Sequence, residues 1–377
     1  MSGVEIVSVE QDAQMDDFID LPWKIYRDYP NWIPPLKKEV RDLLDSDRHP
    51  YWKFSERCLF LARKGSETVG RIAGIVDTRL NEHHKTAMGI WGFFECVNDT
   101  EVAAELVAAA EDWVRSKGMT YLIGPLNPST NYEIGMLTEG FEHRATFMMP
   151  FNPPYYPQLM ESIGLRKEKD LFSFVVDRSW RMPEWMTHIA DRVEEEGRFT
   201  IRKADRQDLA AELRRIRQIY DECWAQNWGF VPMTEEEYAV TTKDLDKIAD
   251  EDLIFFVLDG EEPIACGVIV PDINPLLKRF NGKFGLLGVI KYLLFKKEID
   301  GLRGLIFGVK PGYREMGVPF YLLDYVRKVL ISKRQYRYFE LGWNLEDNTD
   351  MNQLCEQGGA KLFKKYRIYG KSFMDRW

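Results

Sequence analysis

The sequence predicts two α/β units, each a mixed sheet flanked by helices. One observation is an internal repeat: the pattern Q-L-x-E-x-x-G begins at Gln158 and again, about 195 positions later, at Gln353. The run Val69–Asp77 likewise resembles the run Ile264–Asp272. A second observation is that the predicted elements follow the same order in both halves. A repeat of this length indicates a duplicated domain rather than a solenoid, whose units are much shorter.

Each half opens with a short alternating strand and a helix, and Leu209, Leu213 and Ile216 have the spacing of one helix face. A hairpin follows, which the turn Asp259-Gly260 signals in the second half. A strand, a long helix, another strand, a helix with the repeated pattern and closing strands complete each half. In the first half the predicted segments are Val4–Val9, Leu59–Ala62, Val69–Val76, Met88–Cys96, Glu101–Lys117, Tyr121–Gly124 and Leu171–Val176. In the second half they are Phe199–Lys203, Leu209–Tyr220, Ile254–Leu258, Ile264–Val270, Gly304–Val309, Val318–Ser332, Tyr338–Leu341 and Lys361–Tyr369.

The repeat predicts the domain boundaries. Residues 1–177 form the first domain, residues 178–197 form a connecting helix that Gly197 ends, and residues 198–377 form the second domain. Two insertions interrupt the correspondence. The first half inserts Ser129–Phe151 after its penultimate strand, and the second inserts Asn274–Leu302 before its middle strand.

Composition excludes several classes of function. The net charge of −9 argues against nucleic acid as the main partner, because phosphate-backbone binding needs a basic footprint. The five cysteines are scattered and the histidines lack ligand spacing, so we expect free thiols, no metal and a cytoplasmic location.

No secretory signal or transmembrane segment is expected. The apolar stretch Leu286–Phe295 is too short to span a bilayer. Its basic surroundings allow a surface helix that touches a membrane or a partner, but packing on its own domain is the favoured interpretation.

The loop after the strand Leu305–Val309 is the segment with the clearest chemical signal. It runs from Lys310 to Pro319 and leads into the helix Val318–Ser332. A turn before a helix presents unpaired amides, which together with the helix dipole form an anion site suited to a pyrophosphate. Gly317 is expected to let the backbone approach such an anion closely. An ordinary strand-to-helix turn is the equally weighted alternative.

Two motifs in the second half resemble those of the GNAT (GCN5-related N-acetyltransferase) superfamily. The pattern V-x-P-x-x-R-x-x-G, which begins at Val309, matches the acyl-CoA motif of that family. The pattern N-x-x-M-x-x-L-x-E, which begins at Asn348, resembles its second motif. Since the order of elements is similar to that fold in both halves, the chain is identified as a tandem GNAT protein.

The resemblance implies a transfer of an acyl group from acetyl-CoA or another acyl-CoA to an amine or hydroxyl. An N-acetyltransferase is the expected class, with a small-molecule or peptide acceptor, and the chain is expected to be a monomer or a homodimer. The amine attacks the thioester directly, so alignment of the reactants matters most. The implied cofactor-binding residues lie on the strand, on the loop and before the last helix: Phe307, Gly308, Val309, Arg314, Glu315, Met316, Gly317, Val318 and Asn348.

The catalytic residues are less clearly marked. Glu340 is the best placed carboxylate for a general base, with Glu346 and Asp347 as alternatives. Cys355 occupies the position at which the family usually carries a tyrosine acid, and Pro319 replaces the usual Gly or Ala of the loop. A small buried apolar residue is the alternative interpretation of Cys355.

The first half has acidic residues around Asp99 in place of the loop motif, so it is expected not to bind CoA. It is expected to build part of the acceptor pocket or to support the second half. Two other functions stay open. One is a binding protein without turnover, which Pro319 and Cys355 favour. The other is an aminoacyl transferase that resembles the peptidoglycan bridge-forming enzymes, against which the loop Arg314–Gly317 speaks.

Overall fold

The structure is a computed structural model that describes residues 3–243, 250–285 and 288–373. The strands are β1 Glu5–Ser8, β2 Ser55–Lys64, β3 Glu67–Asp77, β4 Met88–Cys96, β5 Tyr121–Gly124, β6 Leu126–Asn127, β7 Glu133–Ile134, β8 Met136–Glu139, β9 Arg166–Asp177, β10 Phe199–Lys203, β11 Ile254–Asp259, β12 Glu262–Pro271, β13 Gly301–Val309, β14 Tyr338–Leu345 and β15 Lys361–Ser372. The helices are α1 Asp12–Ile25, α2 Lys37–Leu44, α3 Thr78–His84, α4 Thr100–Ser116, α5 Tyr156–Ser162, α6 Glu184–Glu196, α7 Leu209–Trp224, α8 Glu235–Thr242, α9 Asn274–Phe280, α10 Gly288–Phe295, α11 Val318–Ser332 and α12 Thr349–Gln357. Both hairpins and the two long helices of the sequence-based prediction are therefore confirmed.

The chain divides into two compact units. Unit 1 comprises Met1–Leu171, Leu276–Leu293 and Lys364–Trp377, and unit 2 comprises Phe172–Pro275 and Leu294–Phe363. This grouping by contacts cuts across the order of the chain, whereas the predicted domains 1–177 and 198–377 follow it. Those boundaries stay a prediction about the repeat. Between them, α6 ends at Gly197, which adopts the left-handed conformation that glycine favours at a helix end.

The sheet of unit 1 has the strand order β1-β2-β3-β4-β5-β15. Neighbouring strands are antiparallel except for β4 and β5, which are parallel. Helix α4 begins at its cap Asp99, whose carboxylate accepts hydrogen bonds from the amides of Glu101 and Val102. The helix buries a face that repeats every three or four residues, formed by Val102, Leu106, Ala110 and Val114. This face and strands β3 and β4 form the apolar core of the unit.

The sheet of unit 2 has the strand order β9-β14-β13-β12-β11-β10, with β13 and β14 parallel. Helix α11 packs its buried face on this sheet through Val318, Leu322 and Val326. Helix α7 covers a second cluster with Ile216 and Ile219, against β11 and β12. The unit therefore has helices packed against the strands that lead into the predicted loop.

The expectation that the final strands close their own halves is wrong. From Lys364 onward, β15 belongs to unit 1 and pairs antiparallel with β5, with Tyr369 opposite Gly124. The segment of β9 from Phe172 to Asp177 belongs to unit 2, where β9 is the neighbour of β14. The two closing strands are thus exchanged between the halves of the chain, a non-local pairing that local sequence patterns do not encode.

Candidate functional site

Strands β13 and β14 are hydrogen-bonded over only part of their length. The paired residues run from Gly301 opposite Tyr338 to Gly304 opposite Leu341. Within the described residues the pairing ends there, although β13 continues to Val309 and β14 to Leu345. We call the resulting opening the unit 2 wedge. A strand edge without a partner strand leaves amide and carbonyl groups for another ligand.

The register of β13 shows which main-chain groups line the wedge. The amide of Lys310 donates to the carbonyl of Ile264 on the β12 side, at 2.9 Å. Because main-chain groups alternate along a strand, Gly308 also points toward β12, opposite Cys266. The main-chain amide and carbonyl groups of Phe307 and Val309 therefore point in the other direction, toward the wedge. Of the three predicted strand residues, these two are placed to bind a ligand through the main chain.

Gly308 contributes through its lack of a side chain. A Cβ there would lie 3.0 Å from the ring of Trp224 and 3.1 Å from Ile219 Cγ2, both on α7. A side chain at this position would therefore crowd α7 against β13. The Phe307 ring faces that of Phe339, with centroids 5.9 Å apart.

Arg314 lies in the exposed turn Pro311–Met316 that follows β13. Its Nε donates to the carbonyl oxygen of Val309 at 3.1 Å, which holds the guanidinium beside the end of the strand. It also lies near the thiol of Cys223, whose pKa burial raises to about 11 while Arg314 lowers it. No acidic partner pairs with Arg314 within the described ranges of the chain. An exposed guanidinium in this state can bind a phosphate group.

Gly317 has a packing role that the sequence does not predict, and its predicted contact with an anion stays a prediction. Its φ of 78° is left-handed, and a Cβ would lie 2.8 Å from Val193 Cγ2 and 3.0 Å from Ile189 Cγ2 on α6. This side of Gly317 thus faces helix α6 and not an open anion site. Val318, the next residue, is fully buried. The exposed part of the loop is its earlier stretch, where Arg314, Glu315 and Met316 lie.

Asn348 caps helix α12, since its side chain accepts a hydrogen bond from the amide of Met351 at 3.4 Å. An asparagine at this position is explained by capping alone. Its predicted role in holding the pantetheine arm stays a prediction.

Glu340, the predicted base, lies on β14 and is fully buried. The hydroxyl of Ser173 donates to its Oε1 at 2.5 Å. Directly opposite it in the parallel pairing is Arg303, which is also buried. The hydrogen bond from Ser173 holds this carboxylate in place. Because Glu340 is fully buried, its carboxylate is not directly accessible to a substrate in solution.

Cys355, the predicted acid, is 6% exposed and belongs to the apolar core of unit 2. The side-chain amide of Asn344 lies 3.8 Å from its sulfur. Burial raises the pKa of the thiol to about 12. A proton on such a thiol is harder to donate than one on an ordinary thiol, whose pKa is about 8.5.

The corresponding opening in unit 1 is filled by the chain itself. Strands β4 and β5 pair only from Met88 to Ile90, after which Asn127 Oδ1 accepts a hydrogen bond from the amide of Phe93 at 2.6 Å. A Cβ on Gly92 would lie 1.9 Å from the carbonyl oxygen of Leu126. Only glycine tolerates this approach. In unit 1 the side chain of Asn127 thus accepts a hydrogen bond from an amide that would otherwise point into the open gap.

A carboxylate that the sequence analysis missed lies beside this filled gap. Glu95 is 9% exposed, and the hydroxyl of Tyr156 donates to its Oε2 at 2.7 Å. Burial raises the pKa of Glu95 to about 7, although Arg71, Tyr156 and Tyr26 each lower it. A carboxylate with this pKa exchanges protons near neutral pH, as general bases do.

A signal for this group was present in the sequence. Glu95 stands in the apolar strand Met88–Cys96, and Arg71 stands in the apolar strand before it. Single charges of opposite sign in two adjacent buried strands indicate a paired, functional or structural cluster. In the structure Arg71 Nη2 lies 3.6 Å from Glu95 Oε1.

Two further observations concern metals and membranes. The carboxylates of Asp191, Glu194 and Asp324 lie within 4.8 Å of one another, but Lys328 Nζ is 2.8 Å from Glu194 and 3.0 Å from Asp324. This ammonium compensates the cluster, and the expectation of no metal stays a prediction. Within the described part of the chain, no helix has the length and the apolarity that a bilayer crossing requires.

Two known proteins are similar in sequence to this chain over nearly its whole length. Protein YghO of Escherichia coli (strain K12) is 32% identical over 366 residues, which cover 94% of this chain and 92% of that protein. The bacterial ceramide synthase of Caulobacter vibrioides (strain NA1000 / CB15N) is 32% identical over 382 residues, which cover 98% of each. No protein-family model matches the chain.

Solved structures show the fold. A tandem GNAT protein from the clavulanic acid biosynthesis pathway superposes with a TM-score of 0.54 at 10% identity, covering 99% of this chain and all of that one. A GCN5-related N-acetyltransferase from Sphaerobacter thermophilus gives a TM-score of 0.53 at 14% identity, covering 98% and 96%. The predicted tandem GNAT fold is confirmed. The chain belongs to the family that includes protein YghO and the bacterial ceramide synthase, and it has the fold of tandem GNAT proteins.

Proposed function

We propose that this protein transfers a fatty acyl group from acyl-CoA to the amine of a long-chain amino alcohol, with the acyl-CoA bound in unit 2. The fold supports acyl transfer in general. The relative named a ceramide synthase supports the acceptor class, since a ceramide is an amide of a fatty acid with such an amine. The alternative pair of substrates is acetyl-CoA and a smaller amine, which would react by the same chemistry.

The single observation that carries the placement is the unit 2 wedge. Phe307 and Val309 direct main-chain groups toward it, and in unit 1 the side chain of Asn127 meets the equivalent need. The pantetheine arm of CoA contains two amides, which can add to a strand edge as another strand would. A free edge in one unit and a filled one in the other favours one acyl-CoA site, in unit 2.

Arg314 is the residue that we propose for the pyrophosphate. Its guanidinium is exposed and held beside the end of β13 by the carbonyl of Val309. Since Gly317 faces α6, the anion is proposed to lie over the exposed turn around Arg314 and not at the first turn of α11. In this proposal Glu315 and Met316 lie next to the phosphates. Gly317 and Val318 are buried and support the turn from its protein side.

The reaction forms a C–N bond and breaks the C–S bond of the thioester. The acceptor must lose its ammonium proton before attack and a second proton as the amide forms, and the CoA thiolate takes up one proton on leaving. Glu340 is the proposed base of unit 2, and the hydroxyl of Ser173 holds its carboxylate. For Cys355 as the acid, transfer from a thiol of pKa about 12 to a more acidic CoA thiol is uphill.

A second candidate for the proton acceptor is Glu95, which would serve an acyl-CoA bound in unit 1 instead. The observation that favours it is a pKa of about 7 together with the hydrogen bond from Tyr156. Glu340→Gln and Glu95→Gln separate the two candidates: the variant of the true base loses turnover by a factor of about 10² or more, while the other keeps it.

Thermal unfolding with acetyl-CoA, palmitoyl-CoA and free CoA tests the binding step. A ligand at 100 times its dissociation constant stabilises the folded protein by about 2.7 kcal/mol, a clear shift in melting temperature. Incubation with palmitoyl-CoA and sphinganine, followed by mass spectrometry, tests the transfer. A thermal shift without any amide product would leave a binding protein, and no shift with any of the three ligands would refute the proposal.

A further inference from the structure

Helix α10 carries its apolar side chains on the outside. Four aliphatic residues are exposed: Val289 by 57%, Ile290 by 53%, Leu293 by 59% and Leu294 by 67%. At 100° per residue they cover an arc of about 140° on one side of the helix. A helix of a soluble protein normally turns such a stripe toward its core.

The opposite side of α10 faces the protein with its small and polar groups. Gly288 is buried, and Lys291 donates from Nζ to the carbonyl of Arg279 on α9 at 2.9 Å. The lysine is thus drawn inward while the aliphatic side chains stay in water. The sequence favours a helix packed on its own domain, and the structure shows that such packing leaves these four aliphatic side chains exposed. Leu286 and Leu287 of the same stretch lie outside the described residues.

The sequence around the helix carries charge of one sign between Asp272 and Glu298. Between Ile273 and Lys297 the sequence has six basic residues and no acidic one, in a chain whose net charge is −9. The basic residues are Lys278, Arg279, Lys283, Lys291, Lys296 and Lys297. Lys278, Arg279 and Lys283 are exposed. A partner for this segment has to offer an apolar interior and a negatively charged rim.

A cavity of about 600 Å³ opens beside the segment in unit 1. Its lining combines aromatic rings with ammonium groups: Trp23, Phe280, Phe284, Lys37, Lys283 and Lys291. Lys37 Nζ lies 4.5 Å from the centre of the Trp23 ring, and Phe284 is 49% exposed. Aromatic and cationic side chains at the opening of one cavity are typical of protein surfaces that contact the head-group region of a membrane.

We propose that α10 and its basic flanks form a docking surface for an anionic lipid bilayer. The aliphatic stripe enters the boundary between head groups and acyl chains, and the lysines contact phosphates, as in helices that lie in a membrane interface. A second copy of the chain fits less well, because it brings the same positive segment to the contact. The inference is independent of the acyl-transfer chemistry.

Vesicle flotation of the whole chain tests this surface, using phosphatidylcholine vesicles with and without phosphatidylglycerol. We expect binding to the anionic vesicles that weakens at high salt. Ile290→Ser combined with Leu293→Ser should lower the binding constant at least about tenfold. The matched control is Ile331→Ser with Leu362→Ser, which removes residues of 63% and 48% exposure elsewhere and should leave binding unchanged.

Three outcomes would overturn the proposal. The folded wild-type protein could ignore anionic vesicles, or the control pair could lose as much binding as the α10 pair. Sedimentation velocity could instead show a dimer that the α10 pair dissociates, which would assign the stripe to a second copy. The thermal shift with palmitoyl-CoA, measured on the same variants, separates these failures from a failure of the proposed acyl-CoA site.

Discussion

Asn127 accepts a hydrogen bond from the main-chain amide of Phe93 at 2.6 Å, and this contact distinguishes the two units. In unit 1 it closes the gap that opens where β4 and β5 stop pairing. In unit 2 the equivalent edge of β13 is left to Phe307 and Val309 without a partner strand among the described residues. The assignment of one acyl-CoA site depends on this difference.

Asn127→Ala should therefore affect stability and not acyl-CoA binding. It leaves the Phe93 amide unsatisfied in the interior, which costs about 1–3 kcal/mol of unfolding free energy. Urea unfolding measures this loss, and thermal shift measures the affinity for acyl-CoA. An affinity that falls by more than about tenfold in a variant that is still folded would place the ligand in unit 1 instead.

Arg314→Glu should weaken acyl-CoA at least about tenfold, because it replaces a pyrophosphate partner with a like charge. The matched control is Glu101→Lys at the start of α4, the corresponding place in unit 1. Glu101 is exposed, so this reversal should leave affinity unchanged. Isothermal titration of both variants with acyl-CoA decides the question, and tighter binding by Glu101→Lys would speak for a site in unit 1.

Glu95 should make the stability of the protein depend on pH. Its pKa is raised from 4.5 to about 7, so the folded state keeps a proton that the unfolded chain has lost in this interval. Its contribution to stability is full below about pH 4.5 and is lost as pH rises through 7. Relative to Glu95→Gln, the wild-type protein should lose roughly 3 kcal/mol between pH 4 and pH 8. Urea unfolding of both proteins across this range provides the measurement, and a difference that is independent of pH would contradict the assignment.

Cys355 should prove inert. With its pKa near 12, very little thiolate exists at pH 8, and iodoacetamide should label Cys355 only after unfolding. For the same reason Cys355→Ala should keep kcat within about threefold, at some cost in stability. A loss of kcat beyond about 10² in the folded variant, with unchanged KM, would restore the cysteine as the acid.

Local sequence patterns predicted the elements well, because alternation and helical spacing reflect burial within one segment. The bounds of β4, β10 and α11 agree with the predicted segments residue by residue. The exchange of β9 and β15 was not predictable, since it joins strands that are distant in the chain. The same holds for Gly317, whose neighbours Val193 and Ile189 come from a helix more than a hundred residues earlier.

The candidate site was only partly predictable for a related reason. The loop motif in the sequence identified Arg314 and the strand before it as candidates. The structure adds that the main-chain groups of Phe307 and Val309 point toward the wedge. The environments of Glu95 and Glu340 depend on residues such as Tyr156 and Ser173, which only folding brings near. A pKa follows from such neighbours and from burial, and a motif contains neither.

Hydrogen–deuterium exchange with and without a saturating acyl-CoA tests the central claim most directly, because it reports which strand edge the ligand covers. We predict slower exchange in peptides that span residues 304–320, with those that span residues 88–102 unchanged. Protection of residues 88–102 in place of 304–320 would contradict the assignment of the acyl-CoA site to unit 2.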